Sequence, residues 1–370
     1  MSGLREFEPA IEVAIDDRNR DTYGGKKFFM ENAGGTVGVS DDQTVLGLAY
    51  LQFSDFLGDR RIIASFQSIE SFQNFDVVYA NFTNRWQWQV HLFDDRDFFI
   101  GEDRTTGFLQ RGRALFAQTG VIGSLVYPFN VSHRFEIGAG YIYREFDRQT
   151  FVFDDQGQLV PAIVTITDDF PLLRSSLVGD TVVATPWGIM GGRRWRLNAF
   201  YAPDLDNSGT LTSNLSLDFR QYVPMTRRSN LAMRAFGYVS EGNAVNPVYF
   251  GGLDTLRGYP FRSINGDTGF FVNLEYRFPL FDQLVTPVFN FGSIRGVVFA
   301  DVGGAWYDDF EDFDFYNNDE SRLEDGVASY GWGMTINWSG LNLNFDFAKQ
   351  WDFDRSLTGY ESSFWIGTRF

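Results

Sequence analysis

The stretch Gly251-Gly252-Leu253-Asp254-Thr255-Leu256-Arg257-Gly258-Tyr259 is followed by Gly269 to Pro279, and then by Gly296-Val297-Val298-Phe299-Ala300-Asp301-Val302-Gly303-Gly304-Ala305-Trp306. It offers one cation in a glycine-rich loop and two carboxylates on the segments that follow. Glycines flanking the arginine let the loop take positive φ values and lie close against another surface. In the next segment Val272, Leu274, Tyr276 and Phe278 alternate with Asn273, Glu275 and Arg277, the period of a half-buried strand. In the one after it, Val298, Ala300 and Val302 share a face opposite Arg295, Val297, Phe299, Asp301 and Gly303. Glu275 and Asp301 are thereby expected on the same side of one sheet.

Leu256-Arg257-Gly258-Tyr259, Glu275-Tyr276-Arg277-Phe278-Pro279 and Phe299-Ala300-Asp301-Val302-Gly303, in this order and spacing, resemble the bacterial outer-membrane insertase and translocator superfamily. That superfamily includes BamA, TamA, the two-partner secretion transporters and the bacterial surface antigen barrels; its usual valine stands here as Leu256. The resemblance implies that the loop arginine enters a barrel lumen and pairs with the strand carboxylates. Its site residues would be Arg257, Gly258, Tyr259, Glu275 and Asp301, with Phe299 and Gly303 as the strand motif.

Composition agrees with many strands. Aromatic residues make up 18% of the 370 residues and phenylalanine alone numbers 40, yet mean hydropathy is -0.20, so apolar residues are dispersed among polar ones. No run approaches the roughly 18 apolar residues of a spanning helix. The absence of cysteine excludes a disulfide framework and a thiolate metal site. A net charge of -17, with Lys26, Lys27 and Lys349 as the lysines, argues against nucleic acid as a partner. Met1 to Ala14 lacks the apolar core of a signal peptide. Either the sequence is a mature or excised barrel behind a new Met1, or the export reading fails.

The alternation predicts an all-β, transmembrane antiparallel barrel of about 16 strands forming a single domain over 1–370. The first strand falls within residues 8–40, where Gly24, Gly25, Gly34 and Gly35 blur its position. The rest centre on 43–53, 60–68, 73–83, 85–93, 110–127, 132–145, 171–184, 194–202, 210–222, 230–240, 269–278, 294–303, 328–338, 341–349 and 362–370. An inward-folded arginine loop then joins strands 11 and 12, and Asp301 lies on strand 13. Leu341, Leu343, Phe345 and Phe347 interleave with Asn342, Asn344 and Asp346, an apolar face for lipid and a polar face for a wet lumen. Connections alternate between short ones, such as Ser54 to Asp59 and Pro224 to Ser229, and long ones at 94–108, 145–169, 241–268 and 304–326, the rhythm of periplasmic turns and external loops. Phe364, Ile366, Thr368 and the terminal Phe370 share a face, similar to the C-terminal signal read by the outer-membrane assembly machinery.

Bond chemistry has little support. His91 and His133 are far apart and read as structural. Asp204, Asp206, Ser208 and Gly209 start like a calcium loop, but its twelfth position is Leu215, so a tight inter-strand loop is the better reading. The acidic run from Asp308 to Asp325 reads as a solvated external loop. No cofactor or metal is expected. The resemblance implies insertion or assembly of outer-membrane proteins, or protein translocation. Its partners would be outer-membrane lipid, unfolded outer-membrane or secreted clients and the assembly machinery. A reading from another class is a passive channel or membrane anchor plugged by its arginine loop, and a soluble all-β protein is a third.

Overall fold

The computed structural model describes residues 28–39, 45–69, 72–103, 108–153, 159–185, 188–205, 208–253, 255–285, 290–308, 312–338 and 341–370. Sixteen long strands form one closed antiparallel barrel. They are β1 Phe29–Val39, β2 Val45–Ser54, β3 Arg60–Ile69, β4 Phe72–Asn81, β5 Gln87–Asp103, β6 Phe108–Pro128, β7 His133–Phe153 and β8 Leu159–Asp180. They continue with β9 Gly188–Pro203, β10 Thr210–Pro224, β11 Asn230–Glu241, β12 Thr268–Phe281, β13 Ile294–Trp306, β14 Val327–Trp338, β15 Leu341–Trp351 and β16 Glu361–Ile366.

The burial pattern is the inverse of a soluble sheet. On β12, Asn273 and Glu275 are 2% and 1% exposed, whereas Leu274 and Tyr276 between them are 43% and 38% exposed. Polar side chains turned inward and apolar ones turned outward fit a wet interior and a lipid surround. The same outward face carries Val298, Trp332, Leu125, Ile137 and Leu217. Exposed aromatic residues at the short-turn end, among them Phe56, Trp86, Phe129, Phe281 and Trp338, stand where an interfacial belt belongs. No helix among the described residues is long and apolar enough to cross a membrane.

Closure is lopsided. The β1–β2 ladder runs the length of β1, from Phe29 opposite Ser54 to Val39 opposite Val45. Among the described residues, β1 pairs with β16 only through Val37, Gly38 and Val39, opposite Ile366, Trp365 and Phe364.

Three sequence expectations shift. The segment 145–169, expected as a loop, continues the β7–β8 ladder from Glu145 opposite Thr167 to Phe153 opposite Leu159. Likewise β5 and β6 stay paired out to Asp103 opposite Phe108. At ~3.4 Å per residue the long strands measure roughly 70 Å, far more than the ~25 Å apolar band, so they project beyond the membrane. Outside lipid a strand needs no apolar face, which is why alternation ends before pairing does. At the other end, β16 stops at Ile366 and not at Phe370, because Gly367 takes φ 150°. Residues 1–27 of the expected N-terminal segment lie outside the described residues.

Candidate functional site

The connection between β11 and β12 carries a short ladder of its own, Val248–Phe250 against Ile264–Gly266. Between its arms the chain folds tightly. The Gly252 amide donates to Leu256 O (3.2 Å) and Tyr259 O (3.0 Å), and the Gly251 amide to Thr255 Oγ1 (2.8 Å). Gly251 holds φ 114°, and a Cβ there would sit 2.2 Å from Pro260 O, so no larger residue fits. This fold presents Leu256, fully buried against Phe250 and Phe271, and next to it Arg257.

Arg257 is 5% exposed. Its Nε and Nη2 donate to Asp301 Oδ2 (2.7 Å) and Oδ1 (2.6 Å), a bidentate fork, and Nη1 donates to Glu275 Oε1 (2.6 Å). Its amide also donates to Asp301 Oδ2 (3.3 Å). The guanidinium carbon lies 3.6 Å from the centroid of the Phe299 ring, which closes its remaining face. Burial pulls the guanidinium pKa down, but Asp301 and Glu275 outweigh burial and hold it above the ordinary arginine range.

The residues flanking Arg257 continue the contact. Gly258, at φ 82°, lets the backbone approach β15, where Gln350 Nε2 donates to Gly258 O (2.6 Å). Tyr259 OH donates to Ala328 O on β14 (3.0 Å). Gly303 acts on the neighbouring strand: a Cβ there would meet Phe270 O at 2.4 Å, so its absence lets β13 lie close against β12.

A wider network surrounds the pair, and sequence reasoning did not assemble it. Arg277 Nε donates to Glu275 Oε2 (2.7 Å), and Arg369 Nη2 donates to Asp346 Oδ1 (2.5 Å) while its Nη1 lies 3.8 Å from Glu275 Oε1. Asn273 Nδ2 bridges Thr255 O (2.5 Å) and Asp301 Oδ1 (2.9 Å). Trp365 Nε1 donates to Asp346 Oδ2 (3.1 Å). Alternation does place Arg277 and Asp346 on the inner face, but Arg369 lies beyond the last strand, where no periodicity could assign it. Phe364 packs outward on Phe345 with ring centroids 5.0 Å apart. Phe370 does not share that face: its carbonyl oxygen accepts from Arg277 Nη2 (3.0 Å), and its ring lies under the Arg277 guanidinium.

A second buried arginine holds the start of the same connection. Arg144, 3% exposed, donates through Nη2 to Asp168 Oδ2 (2.7 Å) and through Nη1 to Asn246 Oδ1 (2.8 Å) and Ala244 O (3.2 Å). Elsewhere, His91 Nε2 meets Asp76 Oδ1 at 2.6 Å and His133 Nδ1 meets Asn130 Oδ1 at 3.1 Å. The amide of Asp204 donates to Gly209 O, closing a tight turn. Asp206, Asp309 and Glu311 lie outside the described residues.

Residues 194–370 match the Omp85 superfamily domain. Among solved structures, the fold is similar to BamA from Haemophilus ducreyi lacking POTRA domains 1-3, with a TM-score of 0.64 and 14% identity over 90% of this chain and 69% of that one. It is also similar to CdiB from Escherichia coli, with a TM-score of 0.55 and 14% identity over 90% of this chain and 62% of that one. CdiB from Acinetobacter baumannii gives a TM-score of 0.54 and 12% identity over 92% of this chain and 60% of that one. The chain thus spans less than two thirds of either CdiB chain. No curated protein sequence matches it.

Proposed function

We propose that this chain, an integral outer-membrane β-barrel belonging through residues 194–370 to the Omp85 superfamily, inserts or translocates polypeptide clients at that membrane. The work needs no bond-making chemistry. It needs a wall that parts and a client strand that pairs with the exposed edge, since an open edge is a ready template for an incoming strand. Outer-membrane lipid, unfolded outer-membrane or secreted proteins and the assembly machinery are the partners in this reading. The inward-folded loop is then a lock: Arg257 fixes Gly258 and Tyr259 against the inner wall through Glu275 and Asp301.

The observation that carries the reading is the β1–β16 seam: among the described residues pairing covers only Val37 to Val39, and Phe29 to Thr36, all paired along β2 but for a bulge at Met30/Asn32, have no partner on β16. At about 0.5–1.5 kcal/mol net per backbone hydrogen bond, so short a ladder separates at a cost of a few kcal/mol, whereas the β1–β2 ladder does not. A passive channel has no use for such a seam.

The test is a disulfide across it. The chain contains no native cysteine, so Val37→Cys with Ile366→Cys introduces the sole thiol pair. In proteoliposomes the oxidised form is expected to lose client insertion or translocation and the reduced form to regain it. Full activity when oxidised rejects the reading, and large steady conductance that ignores the crosslink favours a channel.

A further inference from the structure

On the lipid face of the barrel, β5 to β8 carry an almost wholly apolar groove of about 480 Å³. Gly123 on β6 and Ala139 on β7 stand opposite each other and form its floor. Trp88, Leu125, Ile137 and Leu173, all exposed, rise round them. Strand parity turns this surface outward: Leu125 pairs with Trp88 and with Ile137, while Ser124 and Val126 on either side of it are buried. The floor is open. Outside its chain neighbours, the nearest heavy atom to a Cβ on Gly123 would be Ala139 O at 3.9 Å.

A cation stands over the same groove at the short-turn end, the periplasmic side of such a barrel. Arg85, in the turn between β4 and β5, is exposed, and its guanidinium carbon lies 4.9 Å from the centroid of the Tyr127 ring. Tyr127 continues the outward parity of Gly123 and Leu125, and its ring packs on Trp86 and Phe129 at 4.9 Å and 5.8 Å between centroids. Among the described residues no carboxylate pairs with Arg85. A guanidinium held within an aromatic belt stands at the level of the lipid headgroups. Val90, opposite Gly123, is five residues further along the chain. At ~3.4 Å per residue and ~40° of tilt, the floor is then roughly 13 Å from Arg85 along the membrane normal, within reach of the acyl chain below a headgroup.

Lipid tails are as apolar as the wall they touch, so hydrophobicity alone favours no one lipid over its neighbours. Preference needs shape and a polar anchor, and both are present. A recessed floor surrounds a chain on several sides and adds dispersion contacts that a flat wall lacks. A guanidinium matches a phosphate with paired hydrogen bonds. We infer that this face retains one phospholipid of the periplasmic leaflet, with its phosphate on Arg85 and an acyl chain in the groove over Gly123 and Ala139. The site lies on β5 to β8, away from the β1–β16 seam, and is independent of the client-handling role.

The experiment titrates the delipidated full chain in detergent with phosphatidylglycerol, and separately with diacylglycerol of the same acyl chains, and reads bound lipids by native mass spectrometry. Gly123→Leu fills the groove. Arg85→Gln removes the anchor from an exposed turn. Gly237→Leu is the control, because Gly237 on β11 has nothing within 4 Å of an added Cβ and lies elsewhere on the wall. The wild type and Gly237→Leu are expected to bind a first phosphatidylglycerol more tightly than any later one. That first affinity should fall about tenfold or more in Gly123→Leu and in Arg85→Gln, from lost packing and a lost charge-assisted contact respectively. Diacylglycerol should bind alike to the wild type and Arg85→Gln. Successive phosphatidylglycerols of equal affinity in the wild type, or a first affinity unchanged in either Gly123→Leu or Arg85→Gln, overturn the inference. An equal loss in Gly237→Leu overturns it too, since the effect would then belong to the lipid face at large.

Discussion

Leu253 in the arginine loop reaches Gly38 on the seam strand: a Cβ on Gly38 would lie 2.7 Å from Leu253 Cδ1 and 3.0 Å from Trp365 Cβ. The loop therefore touches the place where β1 meets β16. Adding side chain at Gly38 must displace either the flexible leucine or the seam itself. Gly38→Ala is expected to cost little, because Leu253 can rotate away. Gly38→Phe is expected to overpack the site by about 1–3 kcal/mol and to open the seam. The Val37→Cys/Ile366→Cys crosslinking rate reports it: slower disulfide formation in the Gly38→Phe background is the expected result, and an unchanged rate shows that the contact bears no load.

Gly258 holds φ 82°, and a Cβ there would lie 3.1 Å from Ala348 Cβ. For an L-residue the left-handed region costs roughly 1–2 kcal/mol. Gly258→Ala should loosen the loop without unfolding the barrel. Trypsin cleavage after Arg257 is expected to speed up several-fold, while the rest of the digest stays as in the wild type.

Arg144 holds Ala244 and Asn246 at the start of the same connection, about one hundred residues away in sequence. Hydrogen bonds from a charged donor contribute about 1.5–3 kcal/mol. Arg144→Ala is expected to speed amide exchange near residues 242–250 and to leave residues 255–259 protected, because the Arg257 contacts are separate. Exchange that rises equally in both segments would show a single cooperative loop.

Burial pushes the Tyr259 phenol up to about 12. Its value in the folded protein lies above the ~10 of an exposed tyrosine, so its contribution is whole below pH ~10 and is lost as pH climbs through about 12. Arg257 keeps its proton over that range. Loop resistance to proteolysis is expected to stay flat from pH 7 to about 10 and then to fall. Tyr259→Phe should abolish the alkaline step, and a step that survives the substitution assigns it to another group.

Much of the barrel is legible in the chain because lipid enforces a period of two. Leu274 and Tyr276 must face hydrocarbon, so Asn273, Glu275 and Arg277 must not, and a reader of the sequence can place the two carboxylates correctly. Where lipid ends, the constraint ends too: β7 and β8 run on through Thr165 and Thr167 with no apolar face to mark them. Contacts that depend on three-dimensional closure leave no local trace. Arg369 meets Asp346 only because β16 stops at Ile366 and the chain turns inward, and Arg144 meets Asn246 only because the barrel brings β7 opposite the loop.

The central claim is that Arg257 is held by Asp301 and Glu275 inside the barrel, and a double-mutant cycle tests it most directly. Urea unfolding in lipid vesicles would compare the wild type, Arg257→Lys, Asp301→Asn and the double variant. Breaking a buried pair on one side typically costs about 3–5 kcal/mol, because the remaining charge is stranded. Lysine cannot reproduce the two-pronged contact with Asp301, so Arg257→Lys is expected to lose most of it. The account predicts a coupling energy of at least about 2 kcal/mol between Arg257 and Asp301. Additive single-variant losses, with coupling near zero, would contradict it.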